Sequence, residues 1–295
     1  RFGMELYDLT SIVKDCGFGV FKGAADGGGS VRGITAKNAV KTYSRKEIDK
    51  LTEFVRGIGA KGLAWIRMTD DGIASSFAKF MSEEEMQAIL QKAGAQTGDV
   101  VFIIADTNNS HVLSALGALR CEVAKRLGII GEGYNFLWVV EFPFFEKDEE
   151  TGEWVAMHHP FTSPTDECLD KLEADKSKVY AKAYDMVLNG IELSSGSIRI
   201  TNPELQNRMF RMLGLSEEEA HQKFGFLTDA FQYGAPPHGG MGIGLDRLVM
   251  QMIGAQTLRD VIAFPKVQNA SELMTNAPSP VDPQQLEDLG IQVGQ

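Results

Sequence analysis

Gly240, Gly242 and Gly244 alternate within "GGMGIGLDRLVM" (Gly239–Met250), and no other stretch of the chain limits its fold as much. Period two is the period of a β-strand, so these glycines would leave one strand face bare. The apolar run behind them has helical spacing. A strand is therefore expected to pass directly into a helix at about Leu245–Asp246, with Arg247 on the first turn. A dinucleotide fingerprint needs GxGxxG and a P-loop needs GxxxxGK[ST]; neither is present. A bare strand face beside a helix N-terminus and a guanidinium suits a phosphate or a stacked base. A glycine-rich bend that only lets helix and strand approach closely would give the same pattern.

A second strand reads in "IELSSGSIRI" (191–200). Its apolar residues Ile191, Leu193, Ile198 and Ile200 bracket Glu192 and Arg199, which lie seven apart. Strict alternation would put those two charges on opposite faces. A bulge at Ser194-Ser195-Gly196 would return them to one face. They would then form either an internal ion pair or a ligand site, with Glu192 on a metal or ribose and Arg199 clamping a carboxylate. "DKSKVYAKAYDMVLNG" reads as a helix stopped by Asn189–Gly190. Asp185 on it is a candidate second oxygen ligand, or a solvated carboxylate. His158 and His159 are adjacent, so on a strand one packs and one faces a ligand. His238 is expected to orient the "PPHGG" turn, and His111 and His221 to lie on helix surfaces. No Ser/His/Asp or Cys/His order with a recognisable elbow indicates covalent catalysis.

The rest of the chain reads as α+β. "KGAADGGGSVRG" (22–33) looks like a linker. Helices are expected over "SRKEIDKLTEFVRG" and "SEEEMQAILQKAGA", with capping boxes at Ser44/Glu47 and Ser82/Glu85. "GLAWIRM" and the continuous apolar run "DVVFIIAD" read as strands, and "NNSHVLSALGALRCEVAKRLGI" as a helix. "YNFLWVVEFPFFE" reads as one strand, followed by an acidic hairpin about Thr151–Gly152. Helices follow in "ELQNRMFRMLGL" and "SEEEAHQKFGFLTDAFQYG", and the C-terminal tail is punctuated by proline. No apolar run is long enough to span a membrane. Three distant cysteines make no disulfide framework, which suggests a reducing, cytosolic setting. The net charge of −11 argues against one large basic nucleic-acid face, although residues 17–130 carry a net of +3 (15 Lys/Arg against 12 Asp/Glu). The chain opens on Arg1 rather than Met, and is expected to be trimmed or cut from something longer.

Taken together, "MHHPFTSP", "AYDMVLNGIELSSGSIRI", "KFGFLTDAFQYGAPPHGGMGIGLDRLVM", "RDVIAFPK" and "LMTNAPSP" resemble, in order, the C-terminal half of the bacterial-type aspartyl-tRNA synthetases of class II. The resemblance covers essentially the whole chain. It implies part of a class II antiparallel sheet with flanking helices, plus an inserted α+β domain. Residues 1–16 would be a core segment, 17–130 the inserted GAD-type domain, and 131–295 the core half with the third signature motif. It implies that Gly242, Gly244, Leu245, Asp246 and Arg247 contact ATP. Glu192 would bind ATP through Mg²⁺, with Asp185 and Ser195 nearby. Arg199 would grip the side-chain carboxylate of L-aspartate, with His158 and His159 closing that pocket. Arg247 and Glu192 would be the catalytic pair. The implied partners are L-aspartate, ATP and tRNA-Asp, with tRNA-Asn left open; the implied parent is a cytoplasmic homodimer. The family's anticodon-binding barrel and its first two signature motifs do not match any residues here, so the chain alone is expected to be inactive. Two other readings stand: a non-catalytic synthetase-derived module that binds a ligand or tRNA, and an amidating enzyme on the same fold.

Overall fold

The computed structural model describes residues 2–148 and 150–294. Contacts divide the chain into two compact units, Arg1–Glu132 and Gly133–Gln295.

The first unit runs β1 (Tyr7–Asp8), α1 (Thr10–Val13), α2 (Gly19–Asp26), β2 (Ser30–Ala36), α3 (Arg45–Arg56), β3 (Ala64–Thr69), β4 (Gly72–Ser75), α4 (Glu83–Ala93), β5 (Val100–Asp106) and α5 (Asn109–Leu127). Its five strands form an antiparallel sheet in the order β1-β2-β5-β3-β4. The unbroken apolar run of β5 is explained by burial on both faces. Val100, Phe102 and Ile104 pack with Ile48 and Leu51 of α3 and Leu116 of α5. Val101 and Ile103 pack on the other side with Phe21 of α2 and Ile89 of α4. Of the segment assigned to the core from sequence, Tyr7 pairs with Gly33 of this unit, and Leu9 and Val13 are fully buried in it. The box at Ser82/Glu85 closes in both directions. At Ser44 only half of it forms, because the Glu47 carboxylate turns to Lys50 at 2.6 Å.

The stretch read as a linker, 22–33, is ordered as the end of α2, a turn and the start of β2. Its glycines serve close approach rather than flexibility. A Cβ on Gly29 would collide with the Asp106 carbonyl and the Thr107 backbone, 2.6 Å from the Thr107 carbonyl carbon. Backbone cannot yield as a side-chain tip can. Gly29→Ala is therefore expected to destabilise this unit by about 3 kcal/mol, seen as an earlier urea midpoint at unchanged m-value.

The second unit runs β6 (Phe136–Val139), β7 (Phe142–Pro143), β8 (Phe145–Lys147), β9 (Trp154–Ala156), β10 (Tyr180–Ala181), β11 (Ala183–Leu188), β12 (Ile191–Ile198), α6 (Pro203–Met212), α7 (Glu217–Phe231), β13 (Gly239–Ile243), α8 (Leu245–Ile253) and α9 (Pro283–Asp288). A four-stranded antiparallel sheet has the order β13-β12-β11-β6. The single strand expected over 134–146 is broken into three, with Glu141 at φ +60° between β6 and β7. The acidic hairpin forms between β8 and β9, with Gly152 at φ +71°.

The helix expected over 175–190 is overturned. A short 3-10 turn at Lys176–Lys178 leads into β10 and β11. Asn189 and Gly190, at φ +51° and +83°, are the two-residue turn joining β11 to β12. Asn-Gly favours a left-handed C-cap and a tight hairpin alike, and here the hairpin wins because β11 pairs on both edges. Asp185 therefore lies within the sheet.

Candidate functional site

β12 is the spine of the site. It pairs with β11 on one side and with the glycine strand β13 on the other. Asp185 of β11, Ser195 of β12 and Gly242 of β13 stand opposite one another in one row, and Ser197 and Gly240 stand opposite in the next row on that face. The register along β12 shifts by one at Leu193, because Ser194 pairs with Met186 while Glu192 pairs with Val187. The bulge is thus at Leu193, not at Ser194-Ser195-Gly196. Leu193 and Ser194 are consecutive buried residues, as expected where a strand loses its alternation. The shift puts Glu192 on the face that holds Asp185, Ser195 and, by alternation, Arg199.

The bulge also sets the backbone partners. The Leu193 carbonyl accepts the Gly244 N–H at 2.9 Å, anchoring the start of α8. The Glu192 carbonyl accepts Arg247 Nη1 at 2.6 Å, and the Glu192 carboxylate lies 3.5 Å from the same nitrogen. Gly244 caps α8 without a side-chain acceptor, so the first-turn N–H groups point outward unclaimed by any capping side chain. A Cβ on Gly240 or Gly242 would meet nothing within 4 Å, so that face of β13 is bare. Glu192, Ser195, Gly242, Gly244, Asp246 and Arg247 line one open pocket of about 310 Å³. Leu245 is not among its lining residues and is strongly exposed.

Other glycines here are filled by close contact. A Cβ on Gly196 would strike the Gly240 carbonyl and come within 2.6 Å of the Tyr184 ring. Tyr184 donates to that same carbonyl at 3.1 Å and meets Trp138 edge-on. This tyrosine brace between β11 and β13 leaves no periodic trace in the sequence.

Arg199 lies past the end of β12, where its N–H bonds the His238 carbonyl and its backbone bridges to Thr162. Its guanidinium touches the His159 ring. Among the described residues no carboxylate lies within ion-pair distance of it, so its charge is uncompensated. His158 points elsewhere, edge-on to Phe142. Of the two adjacent histidines, then, His159 is the one beside Arg199. His238 Nδ1 donates within its own turn to the Pro236 carbonyl at 2.8 Å, and His221 is on the exposed side of α7 near Asp229.

Burial, with the Arg199 guanidinium and His158 adding to it, holds the His159 pKa below the ordinary histidine range. The unfolded chain then takes up this proton more readily than the folded one. Nothing is lost above the unfolded value near 6.5, and stability falls as pH drops through it toward the folded value. Melts between pH 7.5 and 5 are expected to show that decline, and His159→Gln to flatten it.

The profile of class II tRNA synthetases (D, K and N) matches residues 16–268. An aspartate–tRNA ligase of Ruminiclostridium cellulolyticum is 58% identical over 99% of this chain and 49% of its own length. An aspartate–tRNA(Asp/Asn) ligase of Caldanaerobacter subterraneus is 54% identical over the same shares. The solved aspartyl tRNA synthetase of Entamoeba histolytica aligns with 81% of this chain and 44% of that one, at 19% identity and TM-score 0.37. The chain spans about half the length of the curated relatives it matches. With the glycine strand, the bulged β12 and α8 all inside a match that covers most of its length, the chain belongs to the class II tRNA synthetases (D, K and N).

Proposed function

We propose that this chain supplies the aspartate- and ATP-binding wall of an aspartate–tRNA ligase. The observation that carries this reading is the uncompensated guanidinium of Arg199, which shares a sheet face with the braced Glu192–Arg247 pair. An arginine with no carboxylate at ion-pair distance among the described residues is a receptor for a ligand carboxylate. Arg199 takes the side-chain carboxylate of L-aspartate, with neutral His159 holding the guanidinium in place. ATP lies over the bare face of Gly240 and Gly242, against Ser195 and Gly244. Arg247 and the first turn of α8, including Leu245 and Asp246, face its base and phosphates.

The reaction needs positioning and charge neutralisation more than a protein nucleophile. The aspartate α-carboxylate attacks the α-phosphorus in line, the bond to the bridging oxygen breaks, and pyrophosphate leaves. The terminal ribose hydroxyl of tRNA then takes the aspartyl group from the adenylate, releasing AMP. Asp185 and Glu192 fit Mg²⁺: two carboxylates on one face, completed by phosphate oxygens, are the donor set this hard cation prefers. It would neutralise phosphate charge there. Among the described residues no cluster of three or more His, Cys, Asp or Glu forms a cage independent of substrate. tRNA-Asp, a homodimeric parent and a cytoplasmic setting belong to this proposal. Among the described residues no helix is long and apolar enough to cross a membrane.

The test is a chimera in which this chain replaces the matched half of the 58%-identical relative. It is expected to catalyse aspartate-dependent ATP–pyrophosphate exchange, whereas the 295 residues alone are expected to show none. A folded chimera without exchange would refute the reading.

A further inference from the structure

The first unit contains an open cavity of about 590 Å³ between α2, α3 and the sheet, outside the site described above. Its walls are mostly apolar, with Phe18, Phe21, Leu63 and Ile103 among them, and Thr52, Ser76 and Asp106 add polar groups. Two features of its lining bear on what it could hold. Gly23 lies within α2, where glycine costs helix stability relative to alanine. Its φ is not in the left-handed region, and a Cβ there would meet nothing within 4 Å. No backbone requirement explains this glycine; what its missing side chain preserves is the space.

The second feature is Asp106, at the end of β5, whose side chain is 4% exposed. Its Oδ1 accepts from the Asn108 N–H at 2.9 Å and from Thr107. The Asn108 bond, followed by the nearby Lys61, holds this carboxyl below the usual carboxylate range, so it is charged at neutral pH. Its Oδ2 is buried and receives no aligned hydrogen bond. Lys61 Nζ pairs with it at 3.1 Å from the rim, on a side chain that is 72% exposed. The other rim cation, Arg56, is already held by Glu53 at 2.8 Å. Asp106 is thus the carboxylate of the cavity lining, set beside aromatic and aliphatic walls and covered from the rim by Lys61.

We propose that this cavity binds a small organic cation, an ammonium or amidinium carried on a flat apolar body, with the charged group on Asp106 Oδ2 in place of Lys61. The apolar body lies against Phe18, Phe21 and Leu63, in the space kept open over Gly23. The size of the cavity is that of ordinary small-molecule sites.

The test compares tryptamine, indole and indole-3-propionate, which share a ring and differ in charge, by calorimetry on the full chain. Tryptamine is expected to bind with a Kd below about 1 mM and about tenfold more tightly than the other two. Asp106→Asn keeps an acceptor for Asn108 and is expected to remove that preference. Gly23→Leu fills the cavity while favouring the helix, and is expected to abolish binding with no loss in thermal midpoint. Preference for the propionate, equal binding of all three, or no binding of tryptamine to the unaltered chain would each overturn the proposal. So would tryptamine binding that survives Gly23→Leu.

Discussion

Arg199→Ala in the chimera is expected to lower aspartate-dependent exchange by about 10³-fold or more and to erase the choice of aspartate over asparagine. Among the described residues no carboxylate pairs with the guanidinium, so its charge is compensated when a ligand brings one. A neutral amide in the same place would leave the cation partly buried and unpaired, at a cost of several kcal/mol, about 3–5 where the partner is fully removed. That penalty is the source of discrimination, and alanine takes it away along with the attraction. Arg199→Lys keeps the charge but not the planar fork, and is expected to recover only part of the activity. Parallel exchange assays with L-aspartate and L-asparagine read both effects. An alanine variant that still prefers aspartate tenfold or more would remove Arg199 from this role.

Gly196→Ala is expected to have the second-largest effect, without touching any ligand. The new Cβ must displace the Gly240 carbonyl or the Tyr184 ring, and Tyr184 is itself bonded to that carbonyl. Either movement pulls β13 away from β12 and removes the bare glycine face. Exchange in the chimera is expected to fall about 100-fold, with stability reduced by about 3 kcal/mol. Gly242→Ala, whose Cβ meets nothing within 4 Å, is the contrast: it leaves stability nearly unchanged and obstructs only the ATP surface. If both variants lost stability equally, the steric account of Gly196 would fail.

Much of this arrangement was legible in the sequence, because local rules govern it. Glycine alternation predicted β13, and the acid, arginine and apolar spacing after it predicted α8 with Arg247 on the first turn. Capping residues located the N-terminal ends of α3 and α4. The errors arose where one local pattern supports two structures. "KVYAKAYDMVLNG" has helix formers and a C-cap signal, yet pairing with β6 and β12 makes it a strand, and only that pairing brings Asp185 opposite Ser195. The need for a bulge could be inferred from the positions of Glu192 and Arg199. Its place at Leu193 is decided by Gly244 and Arg247, which claim the two displaced carbonyls from another element. The glycines near residue 29 resemble a linker until Asp106 and Thr107, nearly eighty residues away, are seen against them.

The β6 strand has one further consequence. It forms an edge of the four-stranded sheet, and Phe136, Leu137, Trp138 and Val139 are all exposed, at 38–60%. An apolar edge without lysine or proline is a template for another strand. Molecules joined there would enter the unfolding equilibrium as a reactant with its own stoichiometry. The midpoint of a melt would then shift with dilution, and a stability quoted for this chain would have meaning only beside the concentration at which it was recorded.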